Sequence, residues 1–308
     1  MDKRGINLHH VDHSGANRKY YLAILAYINR HPEYDINITT ASLSEFIEKG
    51  VPNGTDVLSY QTFPDERNEK KFNPSIIYKS DCVFHSFAGK KILVDVHDCG
   101  DNDSFTRIFA GKEMPRVKCF PSTWFLENYN VILCSTVSAN PGVFPDKYER
   151  NIQISCKFGQ KCYGFYGHTI RETVLMYLRT WFNELTNFDW VSPKSKYFEE
   201  LLWTKIVIGA PGWGRYNGSY WGAIKAGALL FAHCSLNDIK LFPHVDLVDG
   251  DDYISYDLFN FKTKLKRLLF HPEEIERIRN NGRQKFKDGL DYKKSADQFV
   301  SYLKGEVK

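Results

Sequence analysis

A chain of 308 residues with 43% hydrophobic and 15% aromatic content can bury real cores, and its length favours two domains over one. Mean hydropathy is −0.42 and no apolar run reaches the roughly 18 residues that a spanning helix needs, so no membrane span is expected. The net charge of +4 and pI near 8.5 suit a small anionic ligand and create no demand for nucleic acid.

Residues 5–14 read as a short strand running into Asp12-His13-Ser14. Residues 20–29 carry an amphipathic helical pattern through Tyr21, Leu22, Leu25 and Ile28, which His31-Pro32 stops. Residues 36–40 alternate and are β-branched, which predicts a strand. A helix over 43–49 follows, with Ser42 as its cap and Gly50 past its end. A strand over 56–64 and a helix over 74–87 lead to a buried strand over 91–97, which ends in His97-Asp98-Cys99-Gly100-Asp101. Strands at 118–120 and 131–135 flank a helix near 122–129. Strand then helix, repeated, predicts a parallel sheet covered on both faces. Functional groups then gather at the strands' carboxyl ends, where His13, Pro64, Asp98 and the loop after Ser135 fall.

A connector containing proline and glycine at 141–148 marks the domain boundary. It divides the chain into 1–145 and 146–308, with the last helix expected to pack back on the first domain. The pattern restarts with a strand over 151–158, a glycine-containing loop over 159–167, a helix over 169–182 and a helical piece over 197–203. The stretch from Lys205 to Ala232 comes next. It reads as a β-branched strand over 206–210, a break at Pro211, Gly212 and Gly214, a helix capped by Asn217 or Ser219 and ending near Gly227, and a strand over 228–232. A glycine-rich turn between a strand and a helix N-terminus points N–H groups at an anion, although the same residues also make a plain tight connection. A strand at 245–248, a helix over 257–269, a helix from Pro272 to about Lys287 broken by Gly289, and a last helix over 295–304 complete the chain. The densest basic run, 262–267, has helical spacing and reads as a solvated helix face.

The seven cysteines are odd in number and form no Cys-x-x-Cys, so reduced thiols are expected rather than disulfides or zinc. The first ten residues lack an apolar run, which points to a cytoplasmic protein.

The second half carries, in order, Arg171 on a helix after a glycine loop, Ala210-Pro211-Gly212-Trp213-Gly214, Ala226-Gly227-Ala228, Gly250-Asp251-Asp252-Tyr253, His271 to Glu274, Asn281-Gly282-Arg283 and a closing aromatic helix near Tyr292. In these motifs it resembles the donor-binding domain of GT-B-fold glycosyltransferases, above all the exostosin-like and glycosyltransferase group 1-like families of bacterial or viral type. In the first half Tyr60 to Pro64 and Val94 to Asp98 resemble the acceptor-side strand ends of the same group. The resemblance spans about residues 55–305 and is strongest after 200. It implies an α/β GT-B fold, two facing Rossmann-like domains with a cleft between them, and transfer of a sugar from a nucleotide-diphosphate sugar, a UDP-sugar, to a hydroxyl of a glycan acceptor. Such families carry an Arg and then a ribose-holding Glu where this chain has Ser219 and Gly222, with Arg215 lying earlier.

Such a transfer needs donors and positive charge for the diphosphate, and a base for the acceptor if the reaction inverts. Gly212, Gly214 and the helix from Ser219 offer backbone donors. Arg215 and Arg171 offer charge, since an arginine grips phosphate as a fork, although Arg171 also reads as a surface residue beside Glu172. Trp213 and Tyr216 suit stacking on a base, His233 falls at a strand end, and Asp251 and Asp252 suit sugar hydroxyls or serve as a solvated turn. Asp98 is the first candidate base, with Asp12 beside His13 the second, while Asp95 reads as structural. No Asp-x-Asp element with partner ligands supports a metal, and no cofactor beyond the nucleotide-sugar co-substrate is expected. Two other readings stay open: a DNA-modifying glucosyltransferase acting on a hydroxymethylated base, and a non-catalytic nucleotide-sugar- or glycan-binding module.

Overall fold

The computed structural model describes residues 5–12, 18–61, 74–95, 113–118, 121–133, 149–158, 165–188, 194–211 and 219–306. The chain divides into two compact units, one built mostly from residues before Asn140 together with Asp291–Lys308, the other from Asn140–Leu290. The first contains β1 (Ile6–Asp12), α1 (Arg18–Asn29), β2 (Ile36–Ser42), α2 (Leu43–Lys49), β3 (Val57–Gln61), α3 (Pro74–Ser86), β4 (Lys90–Asp95), β5 (Arg116–Lys118) and α4 (Thr123–Asn128). The second contains β6 (Ile152–Ser155), α5 (Phe165–Trp181), β7 (Thr186–Asn187), α6 (Lys194–Leu202), β8 (Thr204–Gly209), α7 (Ser219–Lys225), β9 (Leu229–His233), β10 (Ile254–Tyr256), α8 (Phe261–Phe270) and α9 (Pro272–Gly289). A last helix, α10 (Tyr292–Lys304), belongs to the first unit.

Each unit is built on a five-stranded parallel sheet, in the order β2-β1-β3-β4-β5 and β10-β9-β8-β6-β7. The central strands β3 and β9 are buried along their whole length, because helices cover both faces of a parallel sheet. In the first unit one face holds Val11, Phe46, Leu58, Tyr60, Phe84 and Leu93. On the other, Tyr21 of α1 meets Phe299 of α10 edge-on, ring centroids 5.7 Å apart. Tyr34 Oη donates to Asp297 (2.7 Å) and Lys90 Nζ to the Tyr302 carbonyl (2.7 Å), so α10 is tied into the first unit by polar as well as apolar contacts. The start of α2 is a full capping box: Ser42 Oγ accepts from the Glu45 N–H and Glu45 accepts from the Ser42 N–H.

The second unit explains several of the short motifs as folding devices. Gly227 (φ 71°) ends α7 in the left-handed region, with Ala228 N donating to Ala223 O and Gly227 N to Ile224 O. That is the paired bond pattern of a Schellman cap. Arg150 donates to the carbonyls of Ala226 (2.7 Å) and Thr204 (2.6 Å) beside it. Within α9, Gly282 lies so close to the preceding turn that a Cβ would stand 2.3 Å from the Asp252 carbonyl oxygen.

The boundaries depart from the sequence reading where local hydrogen bonds decide. Residues 245–248 are not a strand. Val248 N instead donates to Asp252 Oδ2 (2.9 Å), Gly250 N to Tyr253 O, and the edge position is taken by β10. Asp257 accepts from the N–H groups of Phe259 and Asn260 (2.8 Å each), so α8 starts at Phe261 and not at Asp257. Helix α9 runs through Gly289, while α10 starts three residues before Ser295, on an Asp291 cap. Around 131–135, Val131 makes only an isolated bridge to Arg116, and residues 134–135 lie outside those described. β5 lies at Arg116–Lys118, two residues ahead of the expected strand, and β7 was unexpected, since two residues carry no periodic signal.

Candidate active site

In each sheet the order of strand addition reverses once, between β1 and β3 in the first and between β6 and β8 in the second. Connections there leave to opposite faces, which opens a crevice at the carboxyl ends of those two strands.

In the second unit the reversal is occupied by Arg171. Its Nε donates to the Pro211 carbonyl (2.8 Å), the residue that follows β8 and opens the glycine-rich stretch. Its guanidinium lies over the Phe158 ring, 5.5 Å from the centroid. Arg171 is buried and stands well inside α5, so it is neither at a helix start nor a surface partner of the exposed Glu172. Lys157, two residues past β6, is a second cation with a buried side chain. Its Nζ lies 2.8 Å from Glu200 Oε2, and Ser155 Oγ donates to Glu200 Oε1 (2.9 Å). Lys157 was not among the sequence candidates; the signal was a lysine just past a short strand, after Cys156.

Ser219 opens α7 and shares a hydrogen bond with the Tyr197 side chain, whose hydroxyl is pushed up by burial. His233 ends β9 and is buried. Its Nδ1 accepts from the Ser235 N–H (3.2 Å), which leaves the proton on Nε2. Burial lowers its pKa and Asp257 opposes that only in part, so the ring is a neutral donor at pH 7. Tyr256 meets His233 edge-on at 5.7 Å and donates to the Gly209 carbonyl (2.8 Å), locking β10, β9 and β8 together at this edge. Arg171, Ser219 and His233 are thus brought to one edge of one sheet. Gly212, Trp213, Gly214, Arg215 and Tyr216 lie outside the described residues.

Asp251 and Asp252 fall elsewhere. They precede β10 and so stand at the amino edge of the same sheet. Asp252 is buried and accepts from the Val248 N–H, while Asp251 pairs with Arg277 of α9 (3.0 Å). Gly222, where the resembling families hold ribose, is buried under α6, and a Cβ there would lie 3.1 Å from the Phe198 ring.

In the first unit Asp12 ends β1 and Gln61 ends β3, on either side of the reversal, with Gln61 buried. Asp95 and Lys118, ending β4 and β5, form a fully buried pair at 2.7 Å. Behind them His10 Nδ1 lies 3.2 Å from Ser59 Oγ, which also bonds Tyr21 Oη at 3.0 Å. Asp98 and His13 lie outside the described residues. Among the described residues no group of three or more His, Cys, Asp or Glu is placed to hold a metal ion.

No family model and no curated protein sequence matches this chain. Solved structures do resemble it. A sucrose-phosphate synthase from Thermosynechococcus elongatus superposes with a TM-score of 0.58 at 9% identity over 99% of each chain. A glycosyltransferase from Rickettsia africae ESF-5 gives 0.54 at 11% identity over 98% of each. An alpha-glucosyltransferase in complex with UDP and a 13-mer DNA containing a central A:G mismatch gives 0.52 at 10% identity, over 96% of this chain and 99% of that one. At such identities the likeness is one of fold, and the fold is the two-domain α/β GT-B architecture.

Proposed function

We propose that this chain transfers a sugar from a nucleotide-diphosphate sugar, a UDP-sugar, to a hydroxyl group of a glycan acceptor. The observation that carries the reading is the bond from Arg171 to the Pro211 carbonyl, at the strand reversal of the second sheet. It fixes a buried cation at the mouth of the glycine-rich stretch, in a fold that solved glycosyltransferases share over nearly their whole length.

In this reading the leaving diphosphate meets Arg215 and the N–H groups of Gly212 and Gly214. Arg171 supplies fixed positive charge behind them, which counts most where water is excluded. His233 donates from Nε2 to the donor sugar or phosphate, while Trp213 and Tyr216 stack on the base. Asp251 and Asp252, at the opposite edge of the sheet, have no part in it. For the acceptor, the base is Asp98, after β4, or Asp12, which ends β1 beside the strand reversal.

Arg215→Ala is expected to abolish binding of the UDP-sugar in calorimetry, and unchanged affinity overturns the reading. Transfer or hydrolysis of a labelled donor separates an enzyme from a binding module. The complex of the similar alpha-glucosyltransferase with UDP and DNA supports the nucleotide assignment and keeps DNA as a second acceptor class. Duplex binding that weakens steeply with salt marks that acceptor.

A further inference from the structure

The basic run of residues 262–267 folds as a stripe on α8 that the transfer reading does not use. Phe259, on the turn before α8, is 99% exposed, and Phe270 at its far end is 71% exposed. Phe259 precedes the helix, and within it Lys262, Lys266 and Phe270 recur every four residues, each about 40° round and about 6 Å on from the last, so these three share one exposed side. Lys262 Nζ stands 4.2 Å above the ring of Trp181, itself 41% exposed, and Lys266 Nζ stands 6.0 Å from the Phe270 ring.

The protrusion is built into the fold and is not a frayed end. Asp257 accepts from the Phe259 and Asn260 N–H groups, Asn260 Nδ2 donates to Asp257 Oδ2 (2.7 Å), and Asp257 N donates back to Asn260 Oδ1 (3.0 Å). A phenylalanine held in water by such a turn loses little further freedom when it is buried in a partner. The underside of α8 is anchored independently by Phe261, Leu265 and Leu268 in the core. Arg267, one step round the helix, is engaged by Glu274 and stays out of the stripe.

We propose that this stripe seats the protein on an anionic lipid surface. The two phenylalanines enter the headgroup–acyl boundary, Trp181 sits at headgroup level, and Lys262 and Lys266 meet acidic headgroups. Rings that stand out singly beside lysines suit a deformable boundary, which closes around each of them. Charge complementarity selects acidic lipid, since the aromatic residues alternate with lysines.

Cosedimentation of the full chain with vesicles of phosphatidylcholine, with and without phosphatidylserine, tests the proposal. Binding is expected only to the mixed vesicles, weaker at high salt. F259S/F270S is expected to lower the vesicle partition constant at least about a hundredfold, as the loss of two buried aromatic rings should. K262E/K266E is expected to abolish binding. Both variants change exposed side chains, so their melting temperatures should match the parent and show that the fold is intact. No sedimentation of the parent chain, or variants that bind as the parent does, overturns the proposal. So does Lys262- and Lys266-dependent binding to duplex DNA without binding to vesicles.

Discussion

Single residues at the strand ends show how this chain handles buried charge. Asp95 and Lys118 are wholly removed from water and lie 2.7 Å apart. Removing one partner of such a pair leaves an uncompensated buried charge, at a cost of about 3–5 kcal/mol. Lys118→Met is therefore expected to lower the unfolding free energy of the first unit by about that amount. Asp95→Leu/Lys118→Met should recover a large part of the loss. Denaturant melts of the two variants check this, and equal destabilisation by single and double would show that the charge is not what matters. Asp95 reads as structural from its place inside an apolar strand, and the pair accounts for it. Arg171 is the opposite case. Its neighbour Glu172 suggests a surface pair, but α5 turns Arg171 inward onto the Pro211 carbonyl, a contact across forty residues that no local pattern encodes.

At the level of elements, the motifs behind the family resemblance separate into two sets. Ala226-Gly227-Ala228 is a helix cap, and Gly282 in Asn281-Gly282-Arg283 is a point of close approach. A glycine in mid-helix costs about 1 kcal/mol relative to alanine by propensity alone. Here that cost is outweighed by the contact with the Asp252 carbonyl, which leaves no room for a methyl group. Gly282→Ala is thus expected to destabilise the second unit by about 1–3 kcal/mol, despite its better helix propensity, because α9 must move off the turn. A higher midpoint in thermal or denaturant unfolding would show that the helix shifts without cost. These motifs serve the fold, whereas Arg171, Ser219 and His233 stand at the other edge of the sheet.

For the molecule as a whole, burial of histidines sets the response to acid. Burial holds His10 at about 4, below its ordinary 6.5, and lowers His9 and His233 as well. The unfolded chain then binds protons that the folded chain refuses, so stability is full above pH 6.5 and is lost as pH falls towards 4. His10 alone should cost about 2 kcal/mol by pH 5. The lowered carboxylates Glu45 and Asp297 lose their contribution only as pH falls through their ordinary values, so the contrast between pH 7 and pH 5 reports chiefly the histidines. Comparing urea unfolding at pH 7 and pH 5 for the parent and His10→Gln checks this, and a parent indifferent to pH over that range would refute it. Period and turn chemistry alone were enough to predict a repeated strand–helix chain with parallel sheets, most element positions, and the break at Pro211, because these depend on neighbours in sequence. The tertiary structure decided what depends on distant partners: that Arg171 faces Pro211, that Asp251 and Asp252 stand at the amino edge, that residues 245–248 make a turn, and that Lys262 of α8 lies over the ring of Trp181. Strand order and the inward or outward face of a helix are fixed by which surfaces bury each other, and that choice is made only when the chain closes on itself.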